Sequence, residues 1–258
     1  MGFFPSHDRE GPGVPPDAPR KTGLPRFWEV LSRDFWDIFR AGLLALVGSA
    51  PFMIGLAFGL QSHVLVFALA GGLLGGAIAG PELCGLADTI LRGLRDEPGF
   101  WWHVYKRAWR RNAAASLLPG ALGGLLLSAQ VFSLFHAGIL GLQLWMGAAL
   151  VAGILVVLGL SMYLWPQLAL MELPFRQLIK NAALLFVGQL PRSAAALGIL
   201  AVYWGAILIF FQLAISLLPF TNFWLPVLPA LFLIYPGIES GFQIEEKLRE
   251  RQEQGPQS

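Results

Sequence analysis

The residues able to do chemistry are few and widely scattered. Of the four histidines, His7, His63, His103 and His136, none has a partner at ligand spacing in the sequence. The single cysteine, Cys84, excludes an intramolecular disulfide and a cysteine-based zinc site. Ser116, Ser128 and Ser133 share one apolar stretch, with no His or Asp placed to act as their base. Glu82 and Asp88 fall on different sides of one helix, so they do not form the paired carboxylates of a glycosidase. His63 and His136 lie in uncharged turns, and a metal shared between them is the one metal reading left. The expectation is therefore a protein that is not an enzyme and holds no metal or cofactor.

The residues that do form a pattern are aromatic and basic. Arg92–Asn112, RGLRDEPGFWWHVYKRAWRRN, carries six of the eighteen Lys and Arg residues. Trp101, Trp102, Tyr105 and Trp109 share one helical face. His103, Lys106, Arg107 and Arg110 recur on the opposite face. Rings on one side and cations on the other predict a helix lying flat at a membrane surface, its cations meeting anionic lipid phosphates. The apolar runs on either side argue against a nucleic-acid patch.

The elements that must position these residues are membrane spans. The chain of 258 residues is 55% hydrophobic and only 13% charged. Soluble domains average about 25% charged. The mean hydropathy of +0.61 is that of a polytopic membrane protein. The fold class expected is all-α, a bundle of six transmembrane helices: 41–60, 64 to about 90, 113–135, 142–164, 194–218 and a span starting at Phe223. Spaced glycines at Gly71, Gly72, Gly75, Gly76 and Gly80 predict that another helix packs closely on the second span. Residues 1–26, rich in Pro and Gly, read as a disordered tail, 27–251 as one membrane domain and 252–258 as a second tail.

The charges set the expected orientation. The turns at 61–63, 136–141 and 219–222 contain no Lys, Arg, Asp or Glu. The positive-inside rule then places both termini and the 92–112 and 165–193 connections in the cytoplasm.

The chain also reads as an internal repeat. Arg40-Ala41-Gly42, Arg111-Asn112-Ala113 and Lys180-Asn181-Ala182 each end an amphipathic stretch and open an apolar one. Pro81, Pro166 and Pro236 recur near the cytoplasmic ends of the even-numbered spans. Three copies follow, about 27–95, 96–172 and 173–245, each an interfacial elbow helix plus a hairpin of spans. The repeat brings Arg40, Arg111 and Lys180, with Asn112 and Asn181, opposite Glu82, Glu172 and Glu239. A proline inside a helix frees a backbone carbonyl, which is tolerated in a membrane only inside protein or beside water. These residues predict a polar vestibule facing the cytoplasm.

Two segments resemble the YesL-like family of bacterial integral membrane proteins. One is Ala79-Gly80-Pro81 with Leu86-Ala87 and the aromatic-basic stretch Phe100–Asn112. The other is Tyr163–Arg192, an aromatic-proline followed by Lys180-Asn181-Ala182 and Leu190-Pro191-Arg192. Ala41 departs from the pattern, standing where Asn is expected. The family has no assigned reaction, and the resemblance implies an association with carbohydrate uptake.

Two functions are compatible with these residues. One is a non-enzymatic accessory or scaffold subunit, with the bilayer, anionic lipids and a membrane transporter complex as partners. The other is a small-solute transporter, which needs polar groups deep in its spans. Only Ser128, Gln130, Ser161, Tyr203 and Gln212 qualify, and no acidic or basic residue lies in a span's centre. That favours the accessory reading.

Overall fold

The computed structural model describes residues 21–97 and 99–243. The expected N-terminal tail as far as residue 20, the charged continuation beyond residue 243 and the C-terminal tail lie outside the described residues. Every regular element among the described residues is helical: α1 (Leu24–Ser62), α2 (Leu65–Arg95), α3 (Trp101–Phe135), α4 (Leu144–Leu170), α5 (Phe175–Gly188), α6 (Leu190–Ile209), α7 (Phe211–Thr221) and α8 (Trp224–Phe242). Six of them, all but α5 and α7, are long and apolar enough to cross a membrane. This is the all-α bundle of six spans that hydropathy predicts.

Helix lengths correct the expected elbows. α1 has 39 residues and α3 has 35. At about 1.5 Å per residue they are roughly 50–60 Å long, against about 30 Å of hydrocarbon. Trp101–Asn112 is thus the first third of a continuous span helix and not a separate helix lying flat. The cause is local. Ala113-Ala114-Ala115 are strong helix formers, and the first proline comes only at Pro119, so nothing stops the helix at Asn112. α1 likewise runs through Arg40 and Ala41 without a break. In the last third of the chain Gln189 leaves helical geometry and Pro191 opens α6, so α5 is separate there. The fifth span also differs from expectation. It breaks at Phe210 into α6 and α7, and nothing in the residue types at 207–212 explains the break. At the N-terminal end, Leu24–Arg26 are helical rather than part of a tail, with Pro25 in the first turn, where its missing N–H costs nothing.

α2 is the axis of the bundle. Its glycines form two stripes four residues apart. Gly71 and Gly75 lie against Gly55 and Phe52 of α1, while Gly72, Gly76 and Gly80 lie against Ser128, Gly124, Gly120 and Ser116 of α3. A Cβ at any of these positions would run into the neighbouring backbone or Ser128. Residues Gly71–Gly75 form a π turn. The close packing expected of this glycine run is present on both sides. The fully buried side chains, among them Ile38, Leu86, Ile90, Tyr163, Leu178 and Ile234, draw α1, α2, α4, α5 and α8 together around the C-terminal half of α2. The core therefore sits towards the charged end of the bundle.

Candidate functional site

Polar side chains converge where α2 ends. Its last carbonyls have no helical partner, and the end of a helix carries partial negative charge. Two guanidiniums from the projecting start of α1 meet it. Arg26 donates to the Leu94 carbonyl at 3.0 Å and Arg33 to the Gly93 carbonyl at 2.7 Å. The residue that stops the helix, Asp96, adopts a left-handed conformation (φ 59°). Its carboxylate accepts from Arg26 at 2.6 Å and from Arg33. Arg33 also pairs with Asp34 at 2.7 Å. On the other side Arg92 bridges buried Asp88, at 2.9 Å, to Glu97, at 3.0 Å. Arg95 donates to Glu97 at 2.6 Å. Partial burial works against the ionised form of Asp96, but the hydrogen bonds and charges of Arg26 and Arg33 outweigh it and hold the carboxyl below the usual carboxylate range.

These groups border a cavity of about 320 Å³ between α1, α2 and the start of α3. Asp34, Asp37, Asp96 and Glu97 line it, with Arg33, Arg92 and the rings of Trp101 and Tyr105. Sequence reading missed this network. Asp96, in the Asp-Glu-Pro-Gly turn after a helix, was the visible signal. Its partners stand 63 and 70 residues earlier, and no local pattern reveals such a pairing.

The expected vestibule is assembled differently. Arg111 donates to the Ala169 carbonyl in the last turn of α4, at 2.7 Å, and so caps a helix end. Arg40 lies 3.7 Å from Asp37, with its guanidinium 5.7 Å from the centre of the Trp101 ring. Lys180 is exposed on α5, and Glu172 is exposed in the α4–α5 connection. Glu239 receives the Tyr235 hydroxyl at 3.5 Å. Asn112 is buried, whereas Asn181 is half-buried. Glu82 accepts the Trp109 indole N–H at 2.9 Å and the Tyr105 hydroxyl. The expected pairing of these cations with these acids is therefore absent among the ion pairs of the described residues. The physical reason is that the carbonyls of helix ends and the aromatic donors of α3 lie nearer.

The aromatic-basic face divides in two. Tyr105 is buried, and Trp101 and Trp109 are partly buried, because Glu82 draws the Tyr105 and Trp109 donors inward and Gly85 leaves room for the Tyr105 ring. Trp102 stays half exposed, and Lys106, Arg107 and Arg110 are exposed. Arg107 donates to His103 at 3.0 Å.

Deep in the spans Ser161 bonds back to the Val157 carbonyl, and Tyr203 reaches Asn222 and Thr221 at the end of α7. Ser128 packs against Gly72, and its buried hydroxyl has no hydrogen-bond partner among the described residues. Gln130 lies against Gly153 of α4, and the side chain of Gln212 lies outside the described part. At the uncharged end, His63 and His136 meet, with Nδ1 of the first 2.8 Å from Nε2 of the second.

Fold and site together define a multi-pass, all-α membrane protein with its ion pairs gathered at one end. No family model, no curated protein and no solved structure is significantly similar to the chain.

Proposed function

We propose that this chain is a non-enzymatic accessory subunit of the bacterial plasma membrane, of the YesL-like kind, which holds a partner at its charged face. The observation that carries the reading is the state of the charges. Within the network each acid is met by a guanidinium, and Arg26 and Arg33 also close the end of α2, as Arg111 closes that of α4. Such groups hold shape. The exposed ridge of Trp102, Lys106, Arg107 and Arg110, on a helix too long for the bilayer, is placed to meet another surface. Anionic lipid phosphates and an acidic face of a transporter complex are its partners. The link to carbohydrate uptake comes from the family resemblance alone. A second reading, a small-solute transporter, is favoured by the cavity between Asp34, Asp37 and Glu97.

One experiment separates the two. Photo-crosslinkers placed at Arg107 and, as a control, at Gly147 are activated in native membranes, and the purified chain is assayed for solute uptake in liposomes. A specific crosslinked partner at Arg107 with no uptake supports the accessory reading. Uptake by the chain alone overturns it.

A further inference from the structure

The only two histidines among the described residues that lie near the uncharged turns are brought together although 73 positions apart. His136 is buried at the end of α3, stacked on Phe132 with ring centroids 4.1 Å apart. Its Nδ1 lies 2.9 Å from the Phe132 carbonyl oxygen, which can only accept, so Nδ1 carries the proton. Nε2 is left as a lone pair, facing Nδ1 of His63. An imidazole held through one nitrogen by a backbone carbonyl, so that the other nitrogen presents a lone pair, is the usual arrangement of a metal ligand and its support. His63 is exposed and occupies the left-handed position that ends α1 (φ 58°), a place where Gly or Asn is the common choice. The two rings are nearly perpendicular, 78° apart.

We propose that His63 and His136 form an exchangeable site for a borderline divalent transition-metal ion such as Zn²⁺, Cu²⁺ or Ni²⁺. In the metal-free pair, the Nδ1–H of His63 donates to His136. For metal to bind, that proton moves through water to Nε2 of the same ring, and both facing nitrogens become ligands. No net proton is lost. With metal–nitrogen bonds of about 2.0–2.1 Å at a tetrahedral angle, the nitrogens stand about 3.3 Å apart. The pair needs to open by only about half an ångström from 2.8 Å. His63, on an exposed turn, can supply that movement. The turns around it carry no Lys or Arg to repel a cation. No cluster of three His, Cys, Asp or Glu exists among the described residues, so water completes the coordination. Two protein ligands make a site that exchanges with free metal, unlike the closed four-ligand sites that hold structural zinc. Bound metal ties the turn between α1 and α2 to the end of α3, at the face opposite the ion-pair network.

The test uses the purified full chain, stripped with chelator, beside His63→Asn and His136→Phe. Asn suits the left-handed backbone, and Phe keeps the stack on Phe132, so both variants fold. Zn²⁺ is titrated against a chromophoric chelator, and Cu²⁺ is read by electron paramagnetic resonance. The wild type is expected to bind one more equivalent of Zn²⁺ than either variant, or to bind it at least about tenfold more tightly. Its Cu²⁺ spectrum shows two imidazole nitrogens, reduced to one in His63→Asn. Equal stoichiometry, affinity and spectra in all three proteins overturn the proposal, with His7 and His103 accounting for any metal bound and the pair serving only as a hydrogen bond.

Discussion

Trp109 donates its indole N–H to the Glu82 carboxylate at 2.9 Å, joining the projecting start of α3 to the middle of α2. The Tyr105 hydroxyl reaches the same carboxylate from one turn earlier. One acid thereby helps to fix the roll of a helix that, further along, packs on its neighbour through Gly120 and Gly124.

Glu82→Ala removes both acceptors and leaves two donors unmet. Hydrogen bonds to charged groups contribute about 1.5–3 kcal/mol. The expected result is a drop of several degrees in the thermal midpoint in detergent, with Glu82→Gln intermediate and Glu172→Ala without effect. Equal midpoints for Glu82→Ala and wild type would contradict this role.

Gly76 and Gly123 make opposite predictions. A Cβ at Gly76 runs into the Gly120 carbonyl, whereas Gly123 has nothing within 4 Å. Gly76→Leu should force α2 from α3 and abolish a monodisperse peak on size exclusion. Gly123→Leu should behave as wild type.

Asp96 predicts the acid limb of stability. Its carboxyl is held below the usual range in the folded protein, so the stabilisation is present above the unfolded value of about 3.9. It is lost as pH falls through the folded value. Asp96→Asn should lower the midpoint at pH 7 and flatten its dependence on pH below about 5. An unchanged acid limb in the variant would remove Asp96 from the network.

Arg111 and Arg110 are neighbours with different work. Arg111 caps α4 through Ala169, and Arg110 is exposed. A cation at a helix C-terminus contributes about 0.3–2 kcal/mol. Arg111→Ala should therefore lower the thermal midpoint, and Arg110→Ala should leave it in place while weakening binding to vesicles containing anionic lipid.

Orientation is checked by labelling. In a Cys84→Ala background, Gln61→Cys, Gly138→Cys and Phe220→Cys should react with an impermeant maleimide on intact cells, and Arg107→Cys should not. Gln61, Arg107 and Phe220 are exposed, and a Cβ at Gly138 meets nothing within 4 Å. The reverse pattern would invert the bundle.

The spans were legible because hydropathy and the absence of charge in three turns are properties of composition over many residues. The close approach at Gly72, Gly76 and Gly80 was legible for a similar reason, since small residues four apart state what they fit. The elbows were misread because amphipathic patterning marks a surface but does not say whether a helix ends. Only a breaker does that, and the Ala113–Ala115 run contains none. The site was misread in its partners. Arg40, Arg111 and Glu82 were recognisable as special residues, yet which carbonyl or ring each meets depends on how α1, α3 and α4 pack. The meeting of His63 with His136 likewise follows from the packing of α1 and α2 against α3.

The clamp of Arg26 on Leu94 and Asp96 has a consequence for biogenesis. Its two halves are 68 and 70 residues apart. At ribosomal rates of about 5–20 residues per second, the guanidinium emerges roughly 3–14 s before the acceptors it will cap. During that interval the first span is held only by its own insertion. Arg26 and Arg33 then act as a latch that closes only once the second span is in place. A chain interrupted before residue 96 should stay unlatched and open to quality-control proteolysis, however well its first helix has entered the bilayer.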